Sequence, residues 1–341
     1  MLANKRDIYI TSSASWLPDS MSSITTAIAS GEYAQSDAEE MCYENISIAP
    51  KNITVMDMAA EAANRALKKA NTAGSQLEML TYNAIHHHGH PQLWCPASYL
   101  QRILHAESAM PLSIYQGCDG QLLSIAMLSR VLQTSEKNYA LSVAADKFSN
   151  GGINRWHGDY GIVYGDAATA VVLSKINGIA KILDLQSAHN PALESLHRFD
   201  QAYDVEEQTY FEKQYNVRSA KKNFLTQHGK DFLIQATHSA MRRLWNKIFS
   251  KNTTSPEDIR FFIFPNLAKN VLDKNYFPIY TDIEKKSLWK FGKQVGHLGA
   301  SDCIAGLTYL IESQEVHAGD KILCIGAGSG FSWSFMLIEM L

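Results

Sequence analysis

Several things this sequence has little of narrow its function before any motif is read. Its purely apolar runs fall far short of the ~20 residues a membrane span requires, and its first residues lack the continuous apolar stretch of a secretory signal. A cytoplasmic protein is expected. Its 5 cysteines, Cys42, Cys95, Cys118, Cys303 and Cys324, form no C-x-x-C pair and are odd in number, which argues against a disulfide framework and a zinc cluster. A net charge of only -3 gives no overall signature of nucleic-acid binding.

The chain does have length and apolar content. With 341 residues, 46% of them hydrophobic, it can bury one large core or two fused modules without staples. Charge is uneven: residues 211–300 carry 16 Lys+Arg against 7 Asp+Glu. A basic surface there suits an acidic partner such as an acyl carrier protein, and equally a solvated helical face.

Short apolar runs alternate with helical patterns. Strands are expected at 8–12, 79–85, 112–115, 139–145, 162–164 and 168–173, and helices at 54–71, 97–105 and 119–132. The theme repeats with strands at 179–185, 259–264, 321–325 and 331–340 and helices at 232–249 and 300–313. This is parallel α/β patterning in two similar halves, 1–175 and 176–341. The polar stretch 186–230 reads as long loops over a pocket or as surface insertions.

Cys118 sits in SIYQGCDGQLLSIAMLS, where a strand-like run ends at Gly117 and a helix apolar on most faces begins. A thiol at the N-terminus of a buried helix feels the positive end of the dipole, which favours the nucleophilic thiolate. The alternative is an inert core cysteine, the commoner fate of free thiols. Asp119 opposes thiolate formation if its charge faces the sulfur.

Four further segments carry a resemblance: YGDAATAVVLSK (164–175), HGKDFLIQA (228–236), the FIFPNLAKN and VGHLGASD pair (262–270 and 295–302), and GAGSGFSWSFMLIEM (326–340). Together with the Cys118 segment they resemble β-ketoacyl-acyl-carrier-protein synthase III and its relatives over nearly the full length. The resemblance implies a thiolase-like α/β fold, two duplicated βαβαβαββ halves in a five-layered α-β-α-β-α architecture. It also implies an oxyanion hole from the backbone amides of Cys118 and Ser329, and a homodimer pairing sheets edge to edge. WCPASY resembles the segment closing the acyl tunnel, so Trp94 and Cys95 limit chain length or form plain interface core.

The family's His and Asn are exchanged here. Asn266 stands where the His is expected, and His297 where the Asn is. An imidazole at 297 supplies a general base that a carboxamide does not. Asp302, five residues on, either orients that imidazole or complements the following helix N-terminus. A Cys118, His297 and Asp302 set resembles the branch of synthase III-like acyltransferases that move an acyl group without decarboxylative extension. Claisen condensation is the second reading, with Asn266 and His297 as donors to an enolate, and a non-catalytic ketosynthase subunit the third. SDAEEMCYENISI lacks the Trp and Arg that bind coenzyme A in the family, which favours a carrier-protein donor. No cofactor is expected. Neither is a metal: His86, His87, His88 and His90 follow a strand, alternate faces and do not all converge. GAGSG is too close to the C-terminus to open a dinucleotide-binding unit.

Overall fold

The computed structural model describes residues 6–19, 21–88, 91, 93–148, 153–198 and 217–341. In chain order the elements are β1 (Ile8–Trp16), β2 (Met21–Ser23), α1 (Ile24–Ala29), α2 (Gln35–Met41), β3 (Asn45–Ser47), α3 (Val55–Lys69), β4 (Leu77–Asn83), α4 (Pro96–Ile103), β5 (Met110–Ile114), α5 (Gly120–Thr134), β6 (Tyr139–Asp146) and β7 (Ala167–Ser174). They continue with β8 (Ala180–His189), α6 (Val217–His228), α7 (Lys230–Lys251), β9 (Ile259–Ile263), α8 (Lys269–Asn275), α9 (Trp289–Val295), α10 (Asp302–Glu312), β10 (Lys321–Gly328) and β11 (Ser332–Met340).

Read inward from its two edges, the large sheet runs β5-β4-β6-β7-β1 on one side and β9-β10-β11-β8 on the other, joined by an antiparallel pairing of β1 with β8. In both halves the last strand of the half, β7 or β11, lies antiparallel between the first strand and a parallel block. The second half keeps only a bridge between Phe262 and Ser287 where the first has its edge strand.

Three apolar clusters separate these sheets and helices. Leu122, Ile125, Leu128 and Leu132 of α5 and Ile304, Leu307 and Leu310 of α10 pack between the two parts of the sheet, against Val171 and Leu173 on one side and Ile322 and Met336 on the other. On the far face of the first part, Met58, Ala62 and Ala66 of α3 and Leu100 of α4 cover Leu141, Val143 and Val172. On the far face of the second, Met241, Leu244 and Ile248 of α7 cover Leu323, Ile325 and Phe335. This is the five-layered α-β-α-β-α order that the resemblance implies. It puts α5 and α10 in the middle layer, which explains why neither shows a clean polar face.

Local chemistry sets the element ends. At the start of α3, Thr54 Oγ1 accepts from the Asp57 amide while Asp57 accepts from the Thr54 amide, a reciprocal cap worth about 1 kcal/mol.

Two expectations are corrected. Residues 162–164 form no strand; Tyr164 makes an isolated bridge with His297 instead. The stretch 186–230 is not simply loop: β8 runs on to His189, and residues 217–228 form α6. Positions 199–216 lie outside the described residues. No described helix is long and apolar enough to cross a membrane.

Candidate active site

The chain runs from β5 into a tight turn at Gly117–Asp119 and then into α5. Gly117 has φ +60°, and a Cβ there would fall 2.7 Å from the backbone nitrogen of Ser329, so only glycine lets the Cys118 turn lie against the end of β10. This brings the Ser329 amide beside the residue that precedes Cys118. Gln116 Nε2 donates to the Ser329 carbonyl at 3.4 Å and ties the two loops together.

From the second half, His297 points at the same place. Its Nε2 lies 2.9 Å from Cys118 Sγ, and its Nδ1 lies 2.5 Å from Asp302 Oδ2. The imidazole is 1% exposed. Its backbone is clamped by residues 163–165: the His297 amide donates to the Val163 carbonyl at 2.8 Å, and the Gly165 amide donates to the His297 carbonyl at 2.9 Å. The Tyr164 ring packs 5.7 Å from the imidazole.

Asp302 does more than sit at a helix start. Its Oδ1 accepts from the Leu298 amide at 2.7 Å, and its Oδ2 also accepts from the Asn266 amide at 2.8 Å. With both oxygens held, the carboxylate presents one lone pair to His297 and fixes which imidazole nitrogen faces the sulfur. Burial pushes the His297 pKa down, but the Asp302 charge and the Cys118 sulfur outweigh it and hold it well above its ordinary value. The Asp302 carboxylate thus favours the protonated imidazole.

Asn266 contributes differently from what its place in the resemblance implies. Its side-chain Nδ2 donates to the Gly296 carbonyl at 3.0 Å, and its backbone amide holds Asp302. Its carbonyl accepts from Tyr43 Oη at 2.6 Å. The backbone amides of Asn266 and Leu298 and the clamp at 163–165 escape a reading by residue type, because main-chain groups carry no side-chain signal. Trp94 packs 5.6 Å from the Tyr99 ring, and Cys95 precedes α4 with its sulfur 3.6 Å from Ser113 Oγ.

Asp119 turns towards β11. Its Oδ2 accepts from Ser334 Oγ on β11 at 2.8 Å, and its Oδ1 is buried without a partner among the described residues. Burial pushes its pKa up from 3.8 to about 7. The folded state therefore binds a proton that the unfolded chain releases above pH 3.8. Stability should fall as pH rises through that window by up to about 4 kcal/mol. Asp119→Asn, neutral at every pH, should flatten that part of the slope. Denaturant midpoints between pH 4 and 8 in both proteins check this, and parallel curves would contradict it.

The family model for 3-oxoacyl-(acyl-carrier-protein) synthase III matches residues 112–191, and the model for the C terminal of that family matches residues 249–340. Beta-ketoacyl-(acyl-carrier-protein) synthase III of Aquifex aeolicus is 22% identical over 85% of this chain and 85% of its own length. The Geobacillus kaustophilus protein of the same name is 23% identical over 87% of this chain and 86% of its own. Among solved structures, the acyltransferase ChlB3 is 28% identical with a TM-score of 0.89, covering 98% of each chain. The Aquifex aeolicus synthase III structure superposes with a TM-score of 0.79 at 19% identity, covering 97% of this chain and 99% of that one. The chain belongs to the 3-oxoacyl-(acyl-carrier-protein) synthase III-like family and has the thiolase fold.

Proposed function

We propose that this protein is a non-extending acyltransferase that carries the acyl group on Cys118 as a thioester. The observation that carries the reading is the unbroken line from Asp302 through His297 to Cys118, with contacts of 2.5 and 2.9 Å. In the first half-reaction the Cys118 thiolate attacks the thioester carbonyl of the donor. The oxyanion is stabilised by the amides of Cys118 and Ser329, and the carrier leaves as a thiol with the proton that His297 held. Acylation removes the negative sulfur and leaves His297 neutral, ready to accept a proton. In the second half-reaction His297 takes that proton from the acceptor nucleophile, which attacks the acyl-enzyme, and the thiolate is released beside a recharged imidazolium. Charge and protons balance over the cycle without a cofactor.

Asn266 Nδ2 gives one of its two N–H donors to the Gly296 carbonyl, and a His297 imidazole in line with Asp302 and the sulfur supports transfer to a nucleophilic acceptor over decarboxylative condensation. An acyl carrier protein is the favoured donor. Arg242, Arg243 and Lys247 are exposed on α7, and a groove of about 420 Å³ between α7 and the end of β8 is lined by Phe232, Gln235, Ser239 and Arg243. Basic side chains beside such a groove attract an acidic carrier and its phosphorylated arm. Edge strand β5 exposes Met110 and Leu112, which suits the edge-to-edge homodimer of the resemblance, with Trp94 and Cys95 nearby at its boundary. Residues 1–175 and 176–341 are the two halves, and the setting is the cytoplasm.

Incubation with malonyl-carrier protein separates the two chemistries. The acyltransferase should release carbon dioxide no faster than Cys118→Ser, while transferring acyl groups from a non-malonyl donor. Efficient Cys118-dependent release would establish condensation instead.

A further inference from the structure

Residues 86–88 follow the end of β4 at Asn83, and the rings of His86 and His88 lie together, their centroids 4.0 Å apart. The expectation that all four histidines of this stretch fail to converge is compatible with two of them doing so; His90 lies outside the described residues. β6 runs parallel to β4 and ends at Asp146, which brings a carboxylate to the same spot. One ligand atom from each of His86, His88 and Asp146 lies within 4.8 Å of the other two. We propose that these three side chains form a binding site for one divalent metal ion of the zinc class, with a fourth position left for water.

Each ligand is prepared by a neighbour. His86 Nδ1 contacts the His87 carbonyl at 3.1 Å, which assigns the ring proton to Nδ1 and leaves Nε2 as a bare lone pair. That Nε2 is buried and has no partner among the described residues. A buried acceptor without a donor is costly, and a cation satisfies it.

Asp146 is 0% exposed and fixed on both sides. Its Oδ1 accepts from the Ile85 amide at 2.9 Å and its Oδ2 from the Ala300 amide at 3.0 Å. Gly299, with φ +64°, makes room for it, since a Cβ there would fall 2.2 Å from Asp146 Oδ2. Such carboxylates, oriented by backbone donors, are the rule in metal sites. The separation of His88 Nε2 from Asp146 Oδ1 is 3.1 Å. Two ligands of one tetrahedral zinc, at bond lengths of about 2.0–2.1 Å, stand about 3.3 Å apart. A small adjustment admits the ion between them, and two imidazoles with one carboxylate suit zinc or cobalt rather than magnesium or calcium.

The site is separate from the sulfur chemistry yet shares a loop with it. Asp146 holds the amide of Ala300, between His297 and Asp302, so an ion here would stiffen the turn that presents the imidazole.

The test uses the full chain, stripped with chelator and titrated with zinc and then cobalt, read by calorimetry and by cobalt ligand-field absorption. About one ion per chain should bind, with a Kd of about 1 μM or tighter and the intense visible bands of a four-coordinate site. Cys118→Ser should bind equally well, because the nucleophile is not a ligand. His86→Ala and His88→Ala should each weaken binding by at least about 10-fold, the low end of what losing one ligand group costs. His86→Gln, with circular dichroism as a check on folding, keeps the test meaningful if an alanine variant misfolds. Less than about 0.2 equivalents bound at 50-fold excess, or binding lost in Cys118→Ser and kept in both histidine variants, overturns the proposal.

Discussion

His297→Ala should lower the rate of acyl transfer by about 10²–10⁴, the range a positioned general acid–base supplies. The expected size follows from the geometry: one imidazole contacts the sulfur at 2.9 Å and the carboxylate at 2.5 Å, and in the proposed mechanism each half-reaction passes a proton through it. Both half-reactions should slow. Because Asp302 favours the protonated form of the imidazole beside Cys118, alkylation of the sulfur by iodoacetamide should slow as well when that ring is removed. Folding should survive, because Asp302 keeps two backbone donors, from Leu298 and Asn266. Single-turnover transfer and alkylation rates, with circular dichroism as the control, measure this. A variant within tenfold of the parent in both would remove His297 from the chemistry.

Asp302→Asn should damage transfer within the same range, by about 10³–10⁴, although the side chain barely changes size. Three donors converge on this carboxylate: the Leu298 amide, the Asn266 amide and His297 Nδ1. A carboxamide has one oxygen, so its NH2 must oppose one of them, leaving a buried donor unpaired at a cost of about 1–3 kcal/mol. The pH dependence should move too. Burial lowers the His297 pKa and the Asp302 charge is the first influence that raises it, so without that charge the imidazolium is lost at lower pH. His297 held above its ordinary value contributes stability at pH below the unfolded value of about 6.5, lost as pH rises through the folded one. Asp302→Asn should shrink that contribution. Denaturant midpoints at pH 6 and 9 together with the pH profile of transfer test this, and an unchanged profile would make Asp302 a mere complement to α10.

Much of this site is legible in the sequence, for identifiable reasons. The helix that follows Cys118 reads as buried because it is apolar on most faces, and α5 indeed fills the middle layer. The spacing of His297 and Asp302 suggests contact because a glycine turn leads into a helix, and they are in contact. For Asn266 the residue type points to its side chain, which bonds the Gly296 carbonyl, while the hold of its backbone amide on the carboxylate carries no signal in the sequence. The worry over Asp119 dissolves only in three dimensions, where its carboxyl turns to Ser334. Helix α6 is missed because its buried anchors are few, Val217, Ala220 and Phe224, within an otherwise polar stretch. The carboxylate beside His86 and His88, Asp146, comes from 58 residues beyond His88, which no local pattern supplies.

Intact-protein mass spectrometry after a brief incubation with an acyl-carrier thioester, quenched in acid, tests the central claim most directly. One acyl mass should appear per chain, map by digestion to Cys118, and vanish in Cys118→Ser. A parent protein that stays unmodified while transfer proceeds, or an adduct that persists elsewhere in Cys118→Ser, would contradict the thioester account.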